Sequence, residues 1–171
     1  EVPTVTKFGK RMTDIQKKYP WLLYEENDKI AGYAYASQFS ERAAYDWSVD
    51  FSIYIKPQYQ GKKIGKALYY ALAELLKLQG YYNAYAAITL PNIKSEKLHQ
   101  GFGFKPIGVY HNVGYKLGKW RDVKWFELKI QDYPEAPVRP KVIDEIKNTV
   151  EFAKIIQHAK QRMIGEQCPG I

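Results

Sequence analysis

The sequence predicts a single α/β domain of the α+β kind, closed by an additional helix at its carboxyl end. Three observations carry that expectation. Between Trp47 and Gln79, strict alternation in WSVDFSIYI gives way across KPQYQGKKIGKAL to apolar residues spaced about 3.6 apart, the signature of a strand feeding a helix. Further short apolar runs on either side have strand character and are punctuated by turn residues. A proline-rich stretch, DYPEAPVRP, then separates all of this from one last amphipathic segment.

Taken in order, Thr4 to Tyr19 reads as a charged, weakly amphipathic helix ended by Pro20. Trp21–Glu25 and Lys29–Ser37 read as a hairpin turned by Glu26-Asn27-Asp28, whose short polar side chains favour a tight turn. Gln38 to Asp46 links this hairpin to the central strand and carries Arg42 and Tyr45. A guanidinium fork can pair both oxygens of a carboxylate and a tyrosine can wall a pocket, so this is a candidate substrate loop; an ordinary surface arginine is the plainer alternative.

In the central strand, Trp47, Val49, Phe51, Ile53 and Ile55 share one face, and Asp50 lies mid-strand on the polar one with Ser48, Ser52 and Tyr54. The following helix presents Ile64, Leu68, Ala71, Leu72, Leu75 and Leu78 to the sheet. Its first turn is anomalous. Lys62, Lys63 and Lys66 crowd an amino end where the helix dipole is already positive. Such a crowd gains most from an anion of several charges docked on free backbone amides, although a solvated lysine cluster explains it equally well.

Gly80 ends that helix, Asn83–Leu90 is a buried strand, and Pro91 breaks it. Asn92 is placed to cap a short helix reaching Phe102, with Ser95 and Glu96 in its first turn and His99 within it. Ile107–Val113 and Val123–Ile130 form an antiparallel pair. Their connector, Gly114–Asp122, is long for a hairpin and rich in glycine and aromatics, which makes it a candidate binding segment. The expected organisation is a domain over residues 1–131, a linker over 132–140, and an amphipathic helix with its tail over 141–171, packed on the domain or on a second subunit.

Composition narrows the function. With 171 residues, 46% hydrophobic, one sizeable core is expected. The net charge of +8 suits an anionic ligand, but the basic residues are scattered, so no nucleic-acid partner is indicated. No apolar run approaches the ~20 residues of a membrane span. Cys168 is the single cysteine, so neither a disulfide framework nor a cysteine metal site can be built, and a reducing, cytoplasmic setting fits. His99, His111 and His158 lack paired metal-ligand spacing, and no metal is expected.

Gln60-Gly61-Lys62-Lys63-Ile64-Gly65 resembles the Gln/Arg-x-x-Gly-x-Gly/Ala loop of the GNAT acetyltransferases, with Lys63 standing where that loop usually has its first glycine. Four further features, AYDW, LPN, LH-x-x-x-G and GYK-x-G-x-W-x-DV, make the span from Tyr19 to Ile130 similar to the phosphinothricin N-acetyltransferase branch. Members usually open with a strand and a helix that this chain does not show, so it is expected to be amino-truncated, processed or incompletely represented relative to that pattern.

The resemblance implies a twisted mixed central sheet flanked by helices, splayed beside the central strand so that the pantetheine arm of acetyl-CoA pairs with backbone at Ile53, Tyr54 and Ile55. The pyrophosphate would lie over Gln60, Gly61, Lys62, Lys63, Ile64, Gly65 and Lys66, with Asn92 and Ser95 also at the cofactor. Arg42, Tyr45 and Tyr115 would face the acceptor. The reaction implied is direct acetyl transfer to the primary amine of a small amino-acid-like substrate, of the phosphinothricin or methionine sulfoximine type. Asp50 aligns with the family's glutamate base, one methylene shorter. His99 would serve as acid or auxiliary base, and a strand amide near Tyr54 would hold the oxyanion. A homodimer is the family expectation. The alternatives are a non-catalytic acyl-CoA-binding regulatory module and an enzyme for another amine, whether polyamine, antibiotic or protein.

Overall fold

The computed structural model describes residues 3–164. Helix α1 (Val5–Gln16) is capped by the Thr4 side chain, which accepts from the Lys7 amide. It stops four residues before Pro20, shorter than expected from sequence. Strands β1 (Trp21–Glu26) and β2 (Lys29–Gln38) form the expected hairpin. Its turn residues Asn27 and Asp28 both take positive φ, 51° and 58°, matching the twist of the strands they join. Strand β3 (Ser48–Ile55), helix α2 (Ile64–Gln79), strand β4 (Asn83–Thr89) and helix α3 (Ile93–Phe102) follow.

Strands β5 (Lys105–Lys116) and β6 (Lys119–Lys129) are longer than the apolar runs suggested. The expected long connector is instead strand on both sides of a two-residue turn, Leu117-Gly118, with φ of 53° and 73°. Tyr115 therefore sits on a strand directly opposite Trp120, their rings 5.4 Å apart. Polar and glycine-rich composition mimicked a loop because almost all of this arm is exposed and so lacks the buried alternation that marks a strand.

The six strands lie in the order β1-β2-β3-β4-β6-β5. Every pair is antiparallel except β3 with β4. One face packs on α2 through Ala34, Ala36, Val49, Phe51, Ala84, Ala86 and Phe126, all nearly inaccessible. The small alanines let the helix approach closely while Leu68, Leu72 and Leu76 supply the volume.

The carboxyl-terminal helix is not continuous. A single turn, α4 (Ile143–Ile146), ends before Thr149, whose hydroxyl accepts from Phe152 to start α5 (Val150–Ile164). A short side chain that caps a new helix interrupts the amphipathic stripe that read as one element. Helix α5 lies against α2, Ile146 is fully buried, and Arg162 stacks 4.0 Å from the Tyr70 ring centroid. Gln79 ties the segment down, its Nε2 donating to the carbonyls of Lys18 and Lys141.

Candidate active site

Strands β3 and β4 pair only at Ser48–Asn83, Val49–Ala84 and Asp50–Tyr85, although β3 continues to Ile55 and β4 to Thr89. Beyond Asp50 each strand stays with its antiparallel neighbour, β3 with β2 and β4 with β6, and the sheet opens into a wedge. Asp50 stands at its apex.

Backbone direction along β3 follows from two hydrogen bonds. Lys56 N donates to Ala31 O on the β2 side, and Trp47 O accepts from Tyr82 N on the β4 side. Because antiparallel pairing alternates, the even-numbered residues of β3 turn their amides to β2. Phe51, Ile53 and Ile55 turn theirs to the open wedge. Tyr54, expected from sequence as an oxyanion donor, therefore points its N–H into the sheet; its ring stacks on Tyr33 at 5.0 Å. The donors at the free edge are Ile53 and Ile55.

Across the wedge mouth lies the start of α2. Gly61 has φ 81° and Lys63 φ 63°, so the position where the resembling loop has glycine is left-handed here with a lysine in it. Lys63 is the N-cap residue and supplies no side-chain hydrogen bond, which leaves the first amides of α2 without a side-chain cap. Gln60 fastens the loop: its Nε2 donates to Ile55 O at 3.2 Å and its Oε1 accepts from Lys94 of α3. Gly65 allows α3 to come close, since a Cβ there would lie 3.3 Å from Leu98. Lys62 turns aside to Glu26 at 3.6 Å and over the Tyr59 ring, Lys66 runs along α3 beside Gly101, and Ile64 is buried in the core.

On α3, Asn92 Oδ1 accepts from Ser95 N as the cap its sequence position implied. Ser95 O accepts from His99 Nδ1 at 2.7 Å, which places a proton on Nδ1. Burial holds the imidazole pKa below its usual value, so the neutral ring's Nε2 accepts from the Tyr69 hydroxyl at 2.8 Å. His99 is 4% exposed and both ring nitrogens are engaged. The free nitrogen that a proton donor or base would require is not on offer in this arrangement. Tyr69 is a partner that sequence reasoning missed; a tyrosine on the buried stripe of α2 needs a partner for its hydroxyl, and that need was the available signal.

Asp50 lies on the sheet face opposite α2. Burial pushes its carboxyl pKa up to about 6, and Oδ1 has no hydrogen-bond partner among the described residues. Around it this face is aromatic. Trp21 stacks on Tyr35 at 4.1 Å, Tyr33 on Tyr54, and Phe39 on Tyr85 at 4.5 Å. Helix α1 covers the outer part of the face with Phe8 against Trp21 and Arg11 donating to the Tyr35 hydroxyl. Tyr45 packs edge-on to Phe39, so the loop after β2 reaches the Tyr85 side of Asp50 and carries the exposed Arg42 with it. Tyr115 lies out on the β5–β6 arm, 65% exposed, and nothing in its contacts brings it to the wedge. No group of three or more potential metal ligands is gathered among the described residues.

The arrangement suits a flat, extended, anionic ligand in the wedge, with its polar backbone paired to β3 and its phosphates at α2. A family model described as an acetyltransferase (GNAT) domain matches residues 1–125. Phosphinothricin N-acetyltransferase of Streptomyces viridochromogenes is 37% identical over 127 residues, 74% of this chain and 69% of that protein. The L-methionine sulfoximine/L-methionine sulfone acetyltransferase of Salmonella typhimurium is 30% identical over 67% of each chain. The crystal structure of a GNAT superfamily phosphinothricin acetyltransferase from Sinorhizobium meliloti, in complex with AcCoA, superposes with a TM-score of 0.73 at 30% identity, covering 82% of this chain and 80% of that one.

Proposed function

Because the chain belongs to the GNAT acetyltransferase family, we propose that it moves the acetyl group of acetyl-CoA to the primary amine of a small amino acid carrying an oxygen-rich side chain, of the phosphinothricin or methionine sulfoximine type. The observation that carries this reading is Asp50 at the apex of the wedge, with its pKa near 6, where a free strand edge meets an aromatic-walled face. Acetyl-CoA supplies an activated thioester. The residues present fit it: free amides of Ile53 and Ile55, the uncapped start of α2 with Lys63 beside it, and a loop fastened by Gln60.

The chemistry assigned to the chain is then specific. Asp50, ionised in most molecules at neutral pH, accepts the proton of the incoming ammonium directly or through one water, which compensates for a side chain shorter than glutamate. Ile53 N–H donates to the thioester carbonyl oxygen, where negative charge grows during transfer. Arg42 pairs with the acceptor carboxylate, and Tyr45 with Phe39 and Tyr85 forms the wall behind it. His99, locked between Ser95 and Tyr69, holds α3 against α2.

A homodimer completes the reading. The long exposed arm carries Ile107, Tyr110, Val113, Tyr115, Leu117 and Trp120 in the open, and β5 is an unpaired edge, a combination that favours burial against a second copy. The cytoplasm is the proposed setting, on the single cysteine, which lies outside the described residues.

The test is release of free CoA thiol from acetyl-CoA with phosphinothricin, methionine sulfoximine, ordinary amino acids and polyamines offered separately. Release with either of the first two is expected. Release only with polyamines would keep the transfer and overturn the acceptor; release with none would overturn the reading.

A further inference from the structure

Two buried side-chain atoms on the aromatic face lack a hydrogen-bond partner among the described residues, Asp50 Oδ1 and Trp125 Nε1. One can only accept when ionised; the other can only donate. Strand registers put both on the same surface. Asp50 is opposite Tyr85 on β4, Ala87 follows two residues later, and Ala87 is opposite Trp125 on β6. The two backbones are thus about 12 Å apart, two strand spacings across and two residues along. That gap suits two side chains reaching toward a small amino acid between them.

Between them on β4 stands Ala87, exposed and with a side chain too short to reach either group, and the Tyr110 ring flanks the indole from β5 at 5.8 Å. The contrast with Trp47 is informative: its Nε1 donates to Val138 O at 2.8 Å, so this chain does satisfy an indole whose role is structural. A buried donor left unpaired is destabilising, and a phenylalanine would fill much of the same volume without that cost. The N–H of Trp125 is thus a donor without a partner among the described residues, on the face that carries Asp50.

We propose that Trp125 is a specificity-determining residue of the acceptor site: its indole N–H donates to an oxygen on the acceptor's side chain while Asp50 receives the amine. The inference rests on the N-acetyltransferase reading above. A carboxylate is better matched by the planar, charged fork of Arg42. A single neutral N–H matches a sulfonyl or phosphinyl oxygen. This assignment explains why a donor is held at the β6 side of the wedge, where the side chain of an amino acid anchored at Asp50 and Arg42 would extend.

The experiment compares the whole protein with Trp125→Phe by titration calorimetry in the presence of CoA, using methionine sulfone and methionine as probes. The chain has four tryptophans, and the indole N–H signal that vanishes in Trp125→Phe identifies residue 125 in the wild type. The expected results are about tenfold weaker binding of methionine sulfone to the variant, methionine binding changed less than twofold, equal melting temperatures, and a downfield shift of the Trp125 signal on adding methionine sulfone with the Trp47 signal unmoved. Equal weakening for both probes assigns the indole to the carboxylate and overturns the proposal. So does an unmoved Trp125 signal, whether or not methionine sulfone binds. Wild-type turnover of methionine sulfone is scored separately: its absence sinks the acceptor assignment, while a null result confined to Trp125 leaves that assignment standing.

Discussion

The Tyr69 hydroxyl donates to His99 Nε2 at 2.8 Å in a site where both residues are all but inaccessible. This bond fixes the imidazole tautomer together with the Ser95 carbonyl and joins α2 to α3, the two helices whose starts frame the mouth of the wedge. Tyr69→Phe keeps the ring and leaves Nε2 buried without a donor. The expected loss is about 1–3 kcal/mol, which at ~2–4 °C per kcal/mol for a chain of this size is a drop in melting temperature measurable by calorimetry. Nitrogen NMR of His99 is expected to report the Nδ1–H neutral form persisting below the usual histidine midpoint, since burial lowers its pKa; protonation at that midpoint would show that the ring is accessible after all.

Asp50 gives a prediction with two readouts. Its folded pKa is raised from 3.8 to about 6 by burial, so the folded state holds this proton more tightly than the unfolded one. That contribution to stability is complete below about pH 4 and is lost as pH rises through 6. Asp50→Asn is therefore expected to be more stable than the wild type at pH 8, by about 1–2 kcal/mol once partial solvent access is allowed for. It should equal the wild type near pH 4. Turnover moves the other way: wild-type kcat/KM rises with pH through about 6, and Asp50→Asn loses roughly 10²–10⁴-fold with acetyl-CoA affinity retained. A variant with unchanged turnover would remove Asp50 from the mechanism.

At Lys63 the left-handed backbone separates conformation from charge. Lys63→Val is expected to destabilise by about 1–2 kcal/mol because a β-branched residue resists φ 63°, whereas Lys63→Gly fits the turn without strain. Urea melts of the two variants check the order. Gly65→Asp acts on the ligand instead, bringing a carboxylate to the start of α2 and a Cβ to within 3.3 Å of Leu98. Calorimetry should show acetyl-CoA binding weakened more by Gly65→Asp than by Gly65→Ala; equal effects would mean packing alone is at work.

What could be read from the sequence follows from where alternation and capping are strong. Period two alone places Val49, Phe51 and Asp50 on their faces, and Asn92, directly after the break at Pro91, is placed to cap the helix whose Ser95 amide it receives. Along the chain the β5–β6 arm reads as strand, loop and strand, since an exposed arm has no buried face to impose a pattern. The direction of the Ile53 and Tyr54 amides depends on pairing register, which no single strand encodes. Trp125 and Asp50 meet on one face only through β4, so their relationship is a property of the sheet and was invisible along the chain.

The carboxyl-terminal segment lies beyond the matched family region, which ends at residue 125, yet it is built into the core. Helix α2 is buried nearly all round, including Ala73, Leu76 and Gln79, because the sheet covers one side and α5 the other. Gln79 Nε2 holds two carbonyls, those of Lys18 and Lys141, and so links the turn before β1 to the strap that leads into α4. Gln79→Leu keeps the volume and leaves both carbonyls short of a donor, while also removing the unpartnered Gln79 Oε1. A net loss of about 1–3 kcal/mol is expected. Arg162→Ala, which removes the cation over Tyr70, should cost about 0.5–2 kcal/mol. A chain ending at Pro140 goes further: it uncovers the outer side of α2 and should melt lower and scatter light at concentrations where the full chain stays clear. Thermal melts with light scattering separate the cases. An unchanged melting temperature in the shortened chain would make α4 and α5 an appendage rather than part of the scaffold that sets α2, and with it the start of α2, against the wedge.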